Sequence, residues 1–226
     1  MNLTKKQLRV IDQVISAFET GKLCDYGSVT ILKDGPNHTP QITYAKHQTT
    51  EASHLKKLLT LYVQANGTYS TQLAPYLNWI GQVPSLLTKD QNFIQLLKNA
   101  GTDPVMQQVQ DDFFGQQYMA PAQQWAQNNG FTLALSMLVI YDSFIQSGSI
   151  VTAIRNAFAE KTPNNGGNEK MWITSYVVER NKWLANHSNP VVHPTVYRTK
   201  CMLGEINRDN WDLIQLPINA NGVKVL

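Results

Sequence analysis

The chain has 226 residues, a net charge of +3, and 42% hydrophobic against 15% charged residues. That balance excludes a disordered chain. No Lys/Arg run exceeds two adjacent residues, which argues against a nucleic-acid partner. No apolar stretch reaches the roughly 18 residues that a membrane span needs, so no membrane insertion is expected. The start, Met1 to Lys6, enters an amphipathic pattern with no apolar leader. The expectation is that the chain is exported by another route or is cut from a larger protein. Cys24 and Cys201 match no zinc or redox spacing. They read as two thiols or as one long-range disulfide, and the sequence leaves both open.

Thr4 and Gln7 form a capping box, and Leu8, Ile11, Ile15 and Phe18 follow at helical spacing. Gly21 supplies the stop, which places Glu19 in the last turn of this first helix. Val29 to Leu32 is a short β-branched run, Asp34-Gly35-Pro36-Asn37 is turn chemistry, and Ile42-Thr43-Tyr44 is a second run. Together they predict a small hairpin with a long loop. From about residue 50 the pattern is helical. Segments 52–65, 71–80 and 91–100 come first. A helix opened by Asp103-Pro104 and extending toward Met119 follows, and then 133–146 and 169–186. Gly130, Gly148, the loop Thr162 to Gly167, and Asn189-Pro190 punctuate the rest. The fold class is therefore mainly α with one small β element. Two lobes with a cleft between them are expected, one carrying the hairpin over about residues 20–65 and a helical one over about 85–226.

Two carboxylates stand out. Glycoside hydrolysis needs one protonated acid for the leaving oxygen and one ionised carboxylate on the other side of the scissile bond. A carboxylate at a helix C-terminus meets the negative end of the macrodipole, which disfavours its charged form, and partial desolvation near Phe18 acts the same way. Glu19 fits the acid. Asp34, in a Gly-flanked loop, fits the second role. On spacing alone the pair is weak, because a Glu near a helix end is usually a solvated charge and Asp-Gly is usually a turn. No nucleophile elbow, zinc-protease motif or P-loop is present. His47 and His54 are seven apart and lack a carboxylate cluster, so neither metal nor cofactor is expected. The tryptophans at 79, 125, 172, 183 and 211 read as core first and as sugar platforms second.

A longer, ordered set of segments resembles the chitosanases of glycoside hydrolase family 46, in the lysozyme superfamily. Val105 to Asp112, followed by Tyr118 and Pro121, is similar to that family's middle helix. Gly130-Phe131-Thr132, Tyr141-Asp142-Ser143-Phe144 and Gly148 are similar to the next. Thr162-Pro163, Gly166-Gly167 and Glu169 match a loop and helix start, and Glu179-Arg180-Asn181-Lys182 an Arg-containing helix. Nearer the N-terminus, Ser16 to Glu19 resembles the catalytic-acid helix, and Ile42-Thr43 a Tyr-Thr strand. The resemblance implies a single lysozyme-like catalytic domain over 1–226, a two-lobed α+β architecture with a small hairpin lobe and a larger helical lobe. It implies inverting hydrolysis with Glu19 as acid, Asp34 as base and Thr43 holding the attacking water, the carboxyls being roughly 6.5–9.5 Å apart. It also implies a buried network behind the acid formed by Arg180, Asp142 and a basic group at or near Lys161.

The loop from Asp34 to Thr43 is longer than the family's, and its Gly-rich continuation is replaced by Tyr44 to Glu51. Asp25 and Glu51 are therefore fallback bases. Lys33, Lys46 and His47 around the hairpin favour an anionic or N-acetylated polymer over polycationic chitosan. The expected activity is thus a lysozyme-like muramidase cleaving β-1,4 bonds of peptidoglycan, as a cell-wall lysin or antibacterial toxin domain acting outside the cytoplasm. The alternatives are a chitosanase, or a non-catalytic glycan-binding module with the same fold. The expected partners are the polysaccharide and, for a toxin, an immunity or inhibitor protein, with the enzyme itself a monomer.

Overall fold

A computed structural model describes all residues, 1–226. In chain order the elements are α1 (Lys5–Thr20), β1 (Val29–Leu32), β2 (Gln41–Tyr44), β3 (Thr49–Thr50), α2 (Leu55–Gln64), α3 (Ser70–Leu73), α4 (Gln91–Ala100) and α5 (Pro104–Phe114). They continue with α6 (Ala120–Asn128), α7 (Ala134–Ser147), α8 (Thr152–Arg155), α9 (Glu169–Ala185), α10 (Val196–Asn207), β4 (Ile218–Ala220) and β5 (Val223–Val225). The chain divides into two compact units, Met1–Leu23 with Gln116–Leu226, and Cys24–Gly115. The fold is the lysozyme-like, mainly helical one with a small sheet.

The first unit is organised on α7, which is buried continuously from Ala134 to Phe144. A helix apolar on every side must be covered on every side. Here α1, α6, α9 and α10 pack against it. The α1 start carries both halves of the capping box, with Thr4 Oγ1 accepting from Gln7 N and Gln7 Oε1 accepting from Thr4 N. Val10, Ile11, Val14, Ile15, Ala17 and Phe18 fill its inner face. Gly21 ends it at φ +70°, its N–H donating to Ala17 O. An aromatic file runs beneath, with Trp125 stacked on Phe131 and Trp172 stacked on Tyr176 at 5.1 Å.

The turn that enters α9 depends on two adjacent glycines. Gly166 has φ +83°, where a side chain strains the backbone, and a Cβ on Gly167 would overlap the Lys161 carbonyl oxygen. Gly167→Ala should therefore cost about 1–3 kcal/mol, the range for forcing atoms into filled space. A thermal melt several degrees below wild type is expected, and an unchanged melt would show that the turn relaxes freely.

The second unit holds an antiparallel sheet in the order β1-β2-β3, with Val29 opposite Tyr44 and Thr43 opposite Thr50. All four β2 residues are buried, while Thr30 to Leu32 of β1 are exposed. Asp103 caps α5 through Val105 N and also takes the Tyr62 hydroxyl at 2.6 Å and Thr68 N at 2.7 Å. One buried carboxylate thereby fixes α5, α2 and the turn after α2.

The predicted hairpin is present, and a third strand, β3, joins it. Two residues are too short to show alternation. The segment 71–80 is one helical turn, α3, followed by a 3-10 turn over Ala74–Asn78. The helix from Pro104 gives way at Gly115 to a π turn over Gly115–Met119. The elements not anticipated are α6, the short α8, α10 and the β4–β5 hairpin. The hairpin's Asn221-Gly222 turn has φ of 53° and 88°. Ala220-Asn221-Gly222-Val223 is a strong hairpin signature. The structure holds Cys24 and Cys201 as thiols rather than as a disulfide. Burial first, and the charge of Glu205 next, push the Cys201 thiol up to about 12. No helix is long and apolar enough to cross a membrane.

Candidate active site

Glu19 lies at the end of α1, half-buried. Its Oε1 accepts from Arg198 Nη2 at 2.6 Å, and Arg198 Nη1 reaches Asp142 Oδ1 at 2.7 Å. Asp142 Oδ2 in turn lies 2.6 Å from Arg180 Nη1. That last contact is a close ion pair whose N–H does not point along a hydrogen-bond direction. Arg180 Nη2 donates instead to Gln146 Oε1 at 2.5 Å and to the Asp142 carbonyl. The result is an alternating chain, carboxylate, guanidinium, carboxylate, guanidinium, drawn from α1, α10, α7 and α9. Asp142 and Arg180 are fully buried, and the Arg198 side chain is 5% exposed. Charges this deep persist only when paired. Burial works against the Arg198 cation, but Glu19 and Asp142 outweigh it and raise its pKa.

Arg198 also packs over the rings of Phe18 and Tyr197, at 5.5 and 5.7 Å. The Tyr197 hydroxyl donates to the Phe18 carbonyl at 2.6 Å, so the residue before Glu19 is tied to α10 independently of the acid itself. Tyr118 stands near enough that burial, and then the negative charge of Glu19, push its phenol up.

The structure brings Glu19, Asp142 and Arg180 into one network, and the basic group that joins them is Arg198. Lys161 is exposed in the loop before α9 and takes no part. Its carbonyl oxygen packs closely against Gly167. Arg198 had a signal of its own. Arg198, Met202 and Glu205 share one face of α10 at i, i+4 and i+7, and all three are buried. A charge on an apolar face requires a partner.

In the second unit, Asp34 is exposed at the end of β1, and its Oδ1 accepts from Gln41 Nε2 at 2.9 Å. Gln41 Oε1 accepts from Ala52 N at 2.9 Å, so one glutamine locks the loop that carries Asp34 to the turn after β3. Thr43 is 4% exposed in β2, and its hydroxyl has no protein partner. Of the fallback carboxylates, Asp25 is half-buried, and its charge contributes to holding the Tyr44 phenol high, after burial and Tyr62. Glu51 is buried, with Oε2 accepting from Ile42 N at 2.8 Å.

The cationic hairpin is corrected. Lys46 is 3% exposed, pairs with Asp111 at 2.7 Å, and lies over the Tyr26 ring. His47 is 1% exposed and meets Phe114 edge-on at 5.0 Å. Both are spent on internal packing, and only Lys33 is exposed. The reason is the turn after β2. Ala45 adopts φ +84°, unusual for a residue with a side chain, and is anchored by its N–H to Ser28 O. The next two residues are turned into the α5 side of the unit. His47 and His54 belong to no group of three or more side chains able to hold a metal. Of the tryptophans, only Trp79 is substantially exposed, at 47%.

The sequence model of glycosyl hydrolase family 46 matches residues 13–217. A chitosanase of Bacillus subtilis (strain 168) is 28% identical over 200 residues, spanning 83% of this chain and 70% of the relative. The native chitosanase of Bacillus subtilis MY002 superposes with a TM-score of 0.83 at 24% identity, covering 100% of both chains. The Gynuella sunshinyii family 46 chitosanase in complex with chitotetraose gives 0.80 at 24% identity, covering 99% of this chain and 98% of that one. The structural likeness carries the fold, and the sequence match over nearly the whole chain carries the family. On that match, the chain belongs to glycosyl hydrolase family 46 and is a glycoside hydrolase.

Proposed function

We propose that this protein is a chitosanase that hydrolyses β-1,4 bonds between glucosamine units with inversion, both units forming one catalytic domain. The observation that carries the reading is the buried chain from Glu19 through Arg198 and Asp142 to Arg180. Three charges from three other helices converge behind a single carboxylate at a helix end, an expensive arrangement for a merely structural role. In the reaction, Glu19 gives its proton to the glycosidic oxygen as the C1–O bond breaks. Asp34 takes a proton from the water whose oxygen forms the new bond to C1. The Thr43 hydroxyl, buried without a protein partner, has its hydrogen-bonding capacity available to that water. Arg198 fixes Glu19, and Gln41 fixes Asp34.

The substrate assignment follows the chitosanases that the chain resembles. The rival reading, peptidoglycan, rested on a cationic hairpin wall and on the altered hairpin loop, and burial of Lys46 and His47 removes the first motive. Chitosan and purified cell walls offered side by side decide the matter. Glucosamine oligomers should accumulate from chitosan, their new reducing ends initially in the α configuration by proton NMR. Cell-wall suspensions should keep their turbidity. Release of muropeptides, with chitosan left intact, would reverse the assignment.

A further inference from the structure

The buried network does not end at Arg180, because Gln146 bonds beyond it. The Gln146 amide has a settled orientation. Arg180 Nη2 can only donate, so the amide oxygen faces it, at 2.5 Å. The amide N–H is then turned the other way, and it donates to Thr195 Oγ1 at 2.9 Å. That hydroxyl, having accepted, donates its own proton to the Val192 carbonyl at 2.6 Å. Guanidinium, amide, hydroxyl and carbonyl thus form one directional chain, each link donating to the next. A fully matched chain of this kind rigidifies what it joins.

What it joins is the entrance of α10. Thr195 is the residue immediately before that helix, and its side chain makes no capping bond. A threonine at such a position ordinarily spends its oxygen on the helix's own N–H groups. Here the oxygen is given to Gln146 instead. Arg198 follows three residues later, inside the first turn. Val196 and Tyr197 of that turn are only half-buried, and the first fully buried apolar residue of α10 is Met202, one turn beyond Arg198. Apolar packing therefore holds the entry of α10 lightly, and polar bonds place it. Thr195 ties it to α7, the Tyr197 hydroxyl to α1, and the Thr199 hydroxyl to Asn181 Oδ1 of α9 at 2.7 Å. The first of these closes a ring. It runs from Arg198 through Asp142, Arg180, Gln146 and Thr195, and back along three residues of backbone to Arg198.

We infer that Gln146 and Thr195 are positioning residues for the acid, their bond setting where α10 begins and so where Arg198 Nη2 meets Glu19. The inference rests on the chitosanase reading and deepens it. It extends the machinery behind Glu19 to a neutral pair that does not touch the acid. Asp142 fixes one end of the Arg198 guanidinium, and the Gln146–Thr195 bond fixes the backbone that carries it. The plainer role for Gln146 is to satisfy Arg180 and nothing more. The two roles part at Thr195, whose hydroxyl can be removed without touching the bond to Arg180.

Thr195→Val removes the acceptor and keeps the shape. Gln146 is half-buried, so water can take up the freed N–H, and the melt should stay within a few degrees of wild type. On a soluble glucosamine oligomer, kcat should fall about tenfold with KM unchanged, inside the roughly 10²-fold that a misplacement of about 1 Å can cost. Thr195→Ser, which returns the hydroxyl, should restore kcat. Gln146→Met should lower kcat at least as far and lower the melt as well. Adding Thr195→Val to it should cost no further turnover, since the two residues make one bond. If Gln146→Met does not fold, the Thr195 pair decides alone. Wild-type kcat in Thr195→Val would overturn the inference, confine Gln146 to Arg180 and leave the chitosanase reading standing. So would a loss that Thr195→Ser shares, a loss confined to KM, or additive losses in the double variant. A wild-type enzyme inert on chitosan would remove the chitosanase reading and the inference with it.

Discussion

Glu19→Gln should abolish hydrolysis while leaving the fold intact. The amide has the shape of the acid but no proton to give, and loss of a general acid costs about 10²–10⁴ in rate. The fold should tolerate it for a reason visible in the network. Glu19 is the outermost member, and its partner Arg198 keeps a second anchor in Asp142 at 2.7 Å. The Gln oxygen can still accept from Arg198 Nη2, so an ion pair becomes a hydrogen bond to a neutral group rather than a void. Activity on a soluble glucosamine oligomer, measured beside a thermal melt, checks both halves. A folded variant with near wild-type turnover would remove Glu19 from the acid role and leave the network with no catalytic purpose.

The first turn of α1, its apolar face, its Gly stop and the position of Glu19 were legible because each rests on neighbours within one or two turns. The same holds for β1, β2 and the buried α7. What was not legible depends on who meets whom in space. Lys161 and Arg198 are both plausible basic partners in a sequence, and only the approach of α10 to α1 and α7 selects Arg198. Lys46 and His47 follow a β strand and read as surface charges. The left-handed Ala45 turns them inward, and no local propensity announces that conformation for alanine. Gln41 is a neutral residue at a strand start, and its two bonds to Asp34 and Ala52 are made by folding alone. The β4–β5 hairpin differs, since its Asn-Gly turn was written plainly and lost only for want of longer flanking strands.

Asp142→Ala should act mainly on stability. Asp142 is the hub of the network, fully buried, with Arg180 Nη1 at 2.6 Å on one oxygen and Arg198 Nη1 at 2.7 Å on the other. Two cations share this carboxylate, and they are not equally able to lose it. Arg198 retains Glu19 and the faces of Phe18 and Tyr197. Arg180, fully buried, would keep only the neutral oxygens of Gln146 and of the residue 142 carbonyl. An uncompensated buried charge of this kind costs about 3–5 kcal/mol. Set against a total stability of about 5–15 kcal/mol, that is a drop in Tm of roughly 6–20 °C for a chain of this size. Turnover at a temperature where the variant remains folded should also fall, because Arg198 holds Glu19 from one fixed point instead of two. Asp142→Ala and Glu19→Gln should therefore separate cleanly, one losing mostly stability and the other almost only turnover. Adding Arg180→Met to Asp142→Ala removes the stranded cation and should recover part of the lost stability without restoring full activity. A melt for Asp142→Ala within about two degrees of wild type would show that water reaches Arg180 and that the network is not closed to solvent.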